Sequence, residues 1–143
     1  MKYFTIDEMC YSSTAKRLGI NNEPPAEIKA HLKELIETIL DPLRKAWGSA
    51  IVVNSGYRSE ELNVAVGGSK TSAHCLGYAA DLHPVKFNNK KFLEFVIKFL
   101  KEKDIPFDQV INEYPDKKGN PSWIHIGLKN RAGQSRKQIK TIS

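Results

Sequence analysis

Two imidazoles and one carboxylate mark the part of this chain best equipped for chemistry. His74 and Asp81 stand in the run Ser72-Ala73-His74-Cys75-Leu76-Gly77-Tyr78-Ala79-Ala80-Asp81, and His125 follows far downstream in Trp123-Ile124-His125. Two histidines and an aspartate form a set that zinc takes as three protein ligands, leaving the fourth position to water, and an open position means catalysis rather than scaffolding. Gly77 lets the chain turn between a loop-borne His74 and a strand-borne Asp81, and the small Ala79 and Ala80 leave room beside a metal. Singly, each residue has an ordinary explanation: a surface histidine, a strand-end carboxylate, a half-buried sheet histidine. Their coincidence with Ser72, Gly77 and Ala79 at fixed offsets is what singles them out. Cys75 is read as packing, because adjacent residues diverge too strongly for both to bind one ion. His83 shares strand parity with Asp81 and is read as a rim histidine.

Four short β-type runs must carry these groups: Ile51 to Ser55, Ala79 to His83, Gln109 to Glu113 and Trp123 to Leu128. In the last, Ile124, Ile126 and Leu128 take one parity and Trp123, His125 and Gly127 the other. In the second, Ala80 and Leu82 oppose Ala79, Asp81 and His83. Side chains alternate faces along a strand, so the chemistry falls on one face and the apolar residues on the other. Helices supply the backing. Thr5 and Glu8 form a capping box with Phe4 and Met9 as its hydrophobic staple, predicting a short helix from Ile6. Ile28, Leu32, Leu35, Ile36, Ile39, Leu40, Leu43 and Trp47 recur at helical steps, with a kink or restart near Asp41 imposed by Pro42. A further helix is capped by Asn88 or Asn89, buries Phe92, Phe95, Val96, Phe99 and Leu100, and ends at Asp104-Ile105-Pro106. The expectation is an α+β fold with helices on one face of a small, mainly antiparallel sheet and polar function on the other.

The chain has 143 residues, the length of one domain, and its 41% hydrophobic and 27% charged residues exclude wholesale disorder. A net charge of +6 favours anionic partners, be they nucleic acid, anionic lipid or a cell-wall polymer, without choosing among them. Two cysteines, Cys10 and Cys75, are too few for a disulfide scaffold. The first residues reach Asp7 and Glu8 before any apolar run, and nothing approaches the roughly 20 apolar residues of a membrane span, so the expectation is a chain made in the cytoplasm without a secretion signal. Lys129 to Lys140 reads as a basic, low-complexity tail.

The sequence resembles the zinc D-alanyl-D-alanine carboxypeptidases and related phage peptidoglycan peptidases, which share a fold with the hedgehog signalling domain and the vancomycin-resistance D,D-dipeptidases. The matching residues are Ser55-Gly56-Tyr57-Arg58-Ser59, the spacing Ser72-x-His74-x-x-Gly77-x-Ala79-x-Asp81, and Trp123-Ile124-His125-Ile126. Phe4-Thr5 to Glu8, Asp41-Pro42-Leu43-Arg44, Leu62-Asn63 and Gly67-Gly68-Ser69 extend the likeness to the small single-domain branch. The resemblance implies one zinc ion held by His74, Asp81 and His125, with Arg58 on the scissile carbonyl or the substrate carboxylate, as suits its planar fork. It further implies Ser72 beside substrate and residues 1–143 as a single zinc peptidase domain. Relatives often carry Glu or Asp three residues before the last zinc histidine as general base, and here that position is Ser122, which cannot take a proton from water at neutral pH. Glu113 is the replacement expected from strand pairing, since a cross-strand neighbour can occupy the same space. Asp116, in a Pro/Lys/Gly-rich loop, is the weaker choice. Trp123 would wall the site or stack on substrate.

These readings converge on a monomeric zinc peptidase of peptidoglycan stem peptides, most simply a D-alanyl-D-alanine carboxypeptidase. The alternatives are a lysin-type endopeptidase waiting in the cytoplasm and a non-catalytic zinc-bearing cell-wall-binding domain. Specific nucleic-acid binding rests on charge alone and is not expected. A two-histidine-one-carboxylate iron site usually sets its first histidine and carboxylate closer than His74 and Asp81 stand.

Overall fold

The computed structural model describes residues 1–143 and gathers the chemistry on a five-stranded sheet of order β1-β2-β4-β3-β5. The strands are β1 (Ile51–Ser55), β2 (Ala79–Pro84), β3 (Gln109–Glu113), β4 (Trp123–Gly127) and β5 (Gln138–Ile142). All neighbours pair antiparallel except β3 and β5, which run parallel. The predicted parity holds: Ala80, Leu82, Val110, Ile124 and Ile126 enter one core cluster, while Asp81 and His125 turn to the other face.

The backing helices follow the apolar spacing. Thr5 Oγ1 accepts the Glu8 N–H at 3.0 Å and starts α1 (Ile6–Cys10), whose Met9 is fully buried. A short α2 (Ser13–Leu18), capped by Ser12 and stopped by Gly19, had no apolar periodicity to announce it. The long amphipathic stretch becomes α3 (Ala26–Leu35), one π-helical turn (Ile36–Leu40) and α4 (Asp41–Trp47). Pro42 supplies no N–H to the ladder, and the widened turn just before it, in which Asp41 N–H reaches back to the Ile36 carbonyl, lets the helix continue without a break. Leu32, Leu35, Ile36, Ile39, Leu40 and Leu43 thereby stay on one fully buried stripe. Between β1 and β2 lie α5 (Glu60–Ala65) and a 3₁₀ turn (Ala73–Leu76); between β2 and β3 lies α6 (Asn89–Glu102), capped by Asn88 and packed on β2 and β4.

The tail is the main correction to the sequence reading. Residues 138–142 form the edge strand β5 in register with β3, from Gln109 opposite Gln138 to Glu113 opposite Ile142. What holds it is the buried Asp108, whose carboxylate accepts from Arg136 Nε at 2.7 Å, Arg136 Nη2 at 2.9 Å and the Arg136 backbone N–H at 3.2 Å. No helix is long and apolar enough to cross a membrane.

Candidate metal and catalytic site

His74 is placed by its turn. Ser72 Oγ accepts the His74 N–H at 3.2 Å, and Gly77 closes the turn at φ +77°. A Cβ on Gly77 would press within 2.9 Å of Ile28 Cγ2 and 3.0 Å of the Ile28 carbonyl, so glycine is required by both conformation and room. Asp81 and His125 are direct cross-strand partners on β2 and β4. The three side chains are buried, and their donor atoms lie within 4.8 Å of one another. Asp81 Oδ1 stands 3.2 Å from His74 Nε2 and 3.0 Å from His125 Nδ1.

The protonation pattern tests whether these residues suit a cation. His74 Nδ1 lies 2.8 Å from the Gly56 carbonyl, which can only accept, so Nδ1 carries the proton and Nε2 the lone pair. That lone pair faces a carboxylate oxygen. Such a contact repels unless the ring takes a second proton or a cation sits between the two, and burial, only partly offset by Asp81, pushes the His74 imidazole below its usual value. Burial pushes Asp81 the other way, but its pairing with the two imidazoles, His125 Nδ1 within hydrogen-bond distance among them, outweighs it and keeps the carboxyl below its usual value. A neutral histidine with its far nitrogen fixed by a carbonyl, beside an ionised aspartate and a second imidazole, fits a divalent metal such as zinc.

The site opens into a cleft of about 810 Å³. Arg58, Ser72, Glu113 and Trp123 all line it, so the sequence-derived residues are brought together. Glu113 ends β3 opposite Trp123, one same-face step from Ile111 opposite His125. Burial, reinforced by the charge of Asp81, raises its carboxyl above the usual glutamate value despite the opposing pull of His125 and Arg58. Ser72 spends its hydroxyl as acceptor for the His74 turn while lining the cleft. Trp123 meets Tyr114 edge-on at 5.6 Å. Asp116 accepts the backbone N–H groups of Lys118 and Asn120, both at 2.9 Å, which commits it to closing its own turn; it does not line the cleft. His83 Nδ1 pairs with Asn54 at 2.6 Å, beside the register shift in β1, and stays outside the metal group. Both cysteines are free, and burial raises both thiols, Cys10 to about 11.

Two supports were given no role by sequence reasoning, although Leu62-Asn63 stood among the residues of the family resemblance. Asn22 donates to the carbonyls of Cys10 at 2.9 Å and Tyr57 at 3.1 Å and accepts the Ser59 N–H at 2.7 Å, bracing the turn that bears Arg58. Asn63 is a buried amide beside Arg58. A polar residue among apolar neighbours is the signal at Asn63; Asn22, next to Glu23-Pro24-Pro25, gave none beyond a turn.

Residues 2–115 match the model of the family described as peptidase M15. The chain belongs to the peptidase M15 family. It is therefore a metallopeptidase, from a family whose members are zinc-dependent peptidases of peptidoglycan. The match takes in Arg58, His74, Asp81 and Glu113 and stops short of His125, which joins the group through the β2–β4 register. No curated protein matches the chain.

Proposed function

We propose that residues 1–143 act as one monomeric zinc peptidase that removes the terminal residue of peptidoglycan stem peptides, a D-alanyl-D-alanine carboxypeptidase. The observation that carries this reading is the β3–β4 register, which restores a carboxylate, Glu113, to the face of His125 although Ser122 stands where a base is expected. His74 Nε2, Asp81 and His125 Nδ1 would hold one zinc ion. Zinc bound there would lower the pKa of a water to about 7 and polarise a carbonyl.

The remaining steps belong to the chain. Glu113 takes the proton of the attacking water and delivers it to the leaving amine, a task suited to a carboxyl whose affinity for protons is raised by burial. Arg58 pairs with the terminal carboxylate or the developing oxyanion. Ser72 and Trp123 border the bound peptide, Trp123 by stacking or walling. The net charge of +6 favours the anionic wall polymer.

Lysin-type endopeptidase action is the second reading, and the cleft favours it. Besides the two histidines, its lining takes in residues from Tyr11 to Thr14, the Val66–Thr71 loop, Asp108, Arg136 and Ile142. About 810 Å³ is near the upper end of ordinary ligand pockets and more than a terminal dipeptide fills. The experiment is to incubate zinc-loaded protein with stem pentapeptide and with whole muropeptides and weigh the products. Release of terminal D-alanine supports the carboxypeptidase, internal fragments support the endopeptidase, and no product from either leaves a zinc-bearing wall-binding domain.

A further inference from the structure

Arg58 does not hang free in the cleft. Its Nη1 donates to Asn63 Oδ1 at 3.3 Å, and its backbone N–H donates to the His74 carbonyl at 3.2 Å. Asn63 itself is only 4% exposed and lies outside the cleft lining, whereas Arg58, Gly68 and Ser69 line it. The other end of its amide, Nδ2, donates to the Ser69 carbonyl at 2.8 Å, and its backbone carbonyl accepts the Gly68 N–H at 2.8 Å. The amide orientation follows from chemistry: only an acceptor is useful against a guanidinium, and only a donor against a carbonyl. Gly68 closes on the same pair, since a Cβ there would collide with Asn63 Oδ1 and come within 2.9 Å of Arg58 Nη1.

We propose that Asn63 is a positioning residue for Arg58, tying one arm of the guanidinium to the Gly68–Ser69 loop so that the group is held at the cleft wall before substrate arrives. The inference rests on the reading above that Arg58 contacts substrate. An arginine on a flexible stem gives up rotamer freedom when it forms a specific pair, and a tether that fixes it in advance removes that cost from the binding step. Burial of the tether keeps water from competing for the Arg58 Nη1 contact.

A double-mutant cycle separates this role from simple support of the loop. Asn63→Ala, Arg58→Ala and the double variant are compared for kcat/KM, zinc content and Tm. Asn63→Ala is expected to lower kcat/KM roughly 10- to 100-fold, as a misplaced substrate contact does, with zinc retained. In the Arg58→Ala background the same change should lower kcat/KM less than about twofold, because nothing remains to position. Its Tm loss should be similar in both backgrounds. An equal kcat/KM factor in both backgrounds overturns the proposal and leaves Asn63 a loop support. Should Asn63→Ala fold poorly, Asn63→Asp decides: it keeps the acceptor facing Arg58 and loses the donor to Ser69. It is put through the same cycle: a kcat/KM loss that shrinks to less than about twofold in the Arg58→Ala background supports the tether, and no loss, or an equal loss in both backgrounds, overturns it. If Arg58→Ala alone leaves kcat/KM unchanged, the assignment of Arg58 to substrate fails first and the role of Asn63 falls with it.

Discussion

Glu113 stands directly opposite Trp123 in the antiparallel pairing of β3 and β4. Cross-strand partners point to the same face, so a carboxylate distant in sequence from His125 is delivered one same-face step from it. Ser122, the neighbour in sequence, is exposed, and its hydroxyl donates to the Tyr114 carbonyl at 2.8 Å, closing the β3–β4 connection. Sequence position and spatial position have exchanged roles.

Glu113→Gln keeps the shape and hydrogen bonding of the side chain and removes the proton acceptor. Zinc content should be unchanged while kcat falls about 10²- to 10⁴-fold. With Glu113 as the proposed base, the ionised carboxylate is the active form, so kcat/KM should decline as pH falls through the Glu113 value. Burial, the largest cause, raises that value above the usual 4.5 in the metal-free chain. Unchanged turnover in Glu113→Gln would move the base elsewhere.

Arg58→Lys retains charge and loses the fork. Transition-state stabilisation should drop by about 2 to 4 kcal/mol, by analogy with lost oxyanion donors, with little change in Tm. A much lower Tm with intact kcat/KM would make Arg58 a structural residue.

Gly56→Ala tests how His74 is oriented. A Cβ at Gly56 would collide with the Met9 carbonyl and displace the carbonyl that receives the His74 Nδ1 proton. Metal affinity, read by competition with a chelating dye, should weaken about 10- to 100-fold, as when an outer hydrogen-bond partner of a metal histidine is lost. Full affinity would show that the Gly56 carbonyl does not set the ring.

Asp108 offers a stability test remote from turnover. Burial disfavours its charge, but the hydrogen bonds and charge of Arg136 outweigh this and hold the folded carboxyl below its usual value. A depressed folded value means that the stabilisation is fully present above the unfolded value of about 3.9 and is lost as pH falls through the folded one. Acid should therefore lower the Tm of the wild type more than that of Asp108→Asn, which at neutral pH starts lower. Parallel pH profiles would mean that the pair does not clamp β5.

Much of this was legible because side-chain alternation is a local rule. The parity of Asp81 and His125 in their runs already put both on one face, and the capping box at Thr5 and Glu8 marked α1. The edge strand β5 was not legible: four of its five side chains are exposed, so no alternation announces it, and its anchor is a contact between Asp108 and Arg136 across a long sequence separation. The tethers Asn22 and Asn63 were hidden for the same reason, since which carbonyl an amide meets is decided by tertiary packing.

Zinc content of the purified chain and of His125→Ala tests the central claim most directly, because His125 is the proposed ligand that neither the local motif around His74 nor the family match reaches. The account predicts about one zinc per chain in the wild type, as three-ligand sites hold, and a small fraction of that in His125→Ala with the apo fold retained. Equal zinc in both proteins would contradict the assignment of His74, Asp81 and His125 as the metal site.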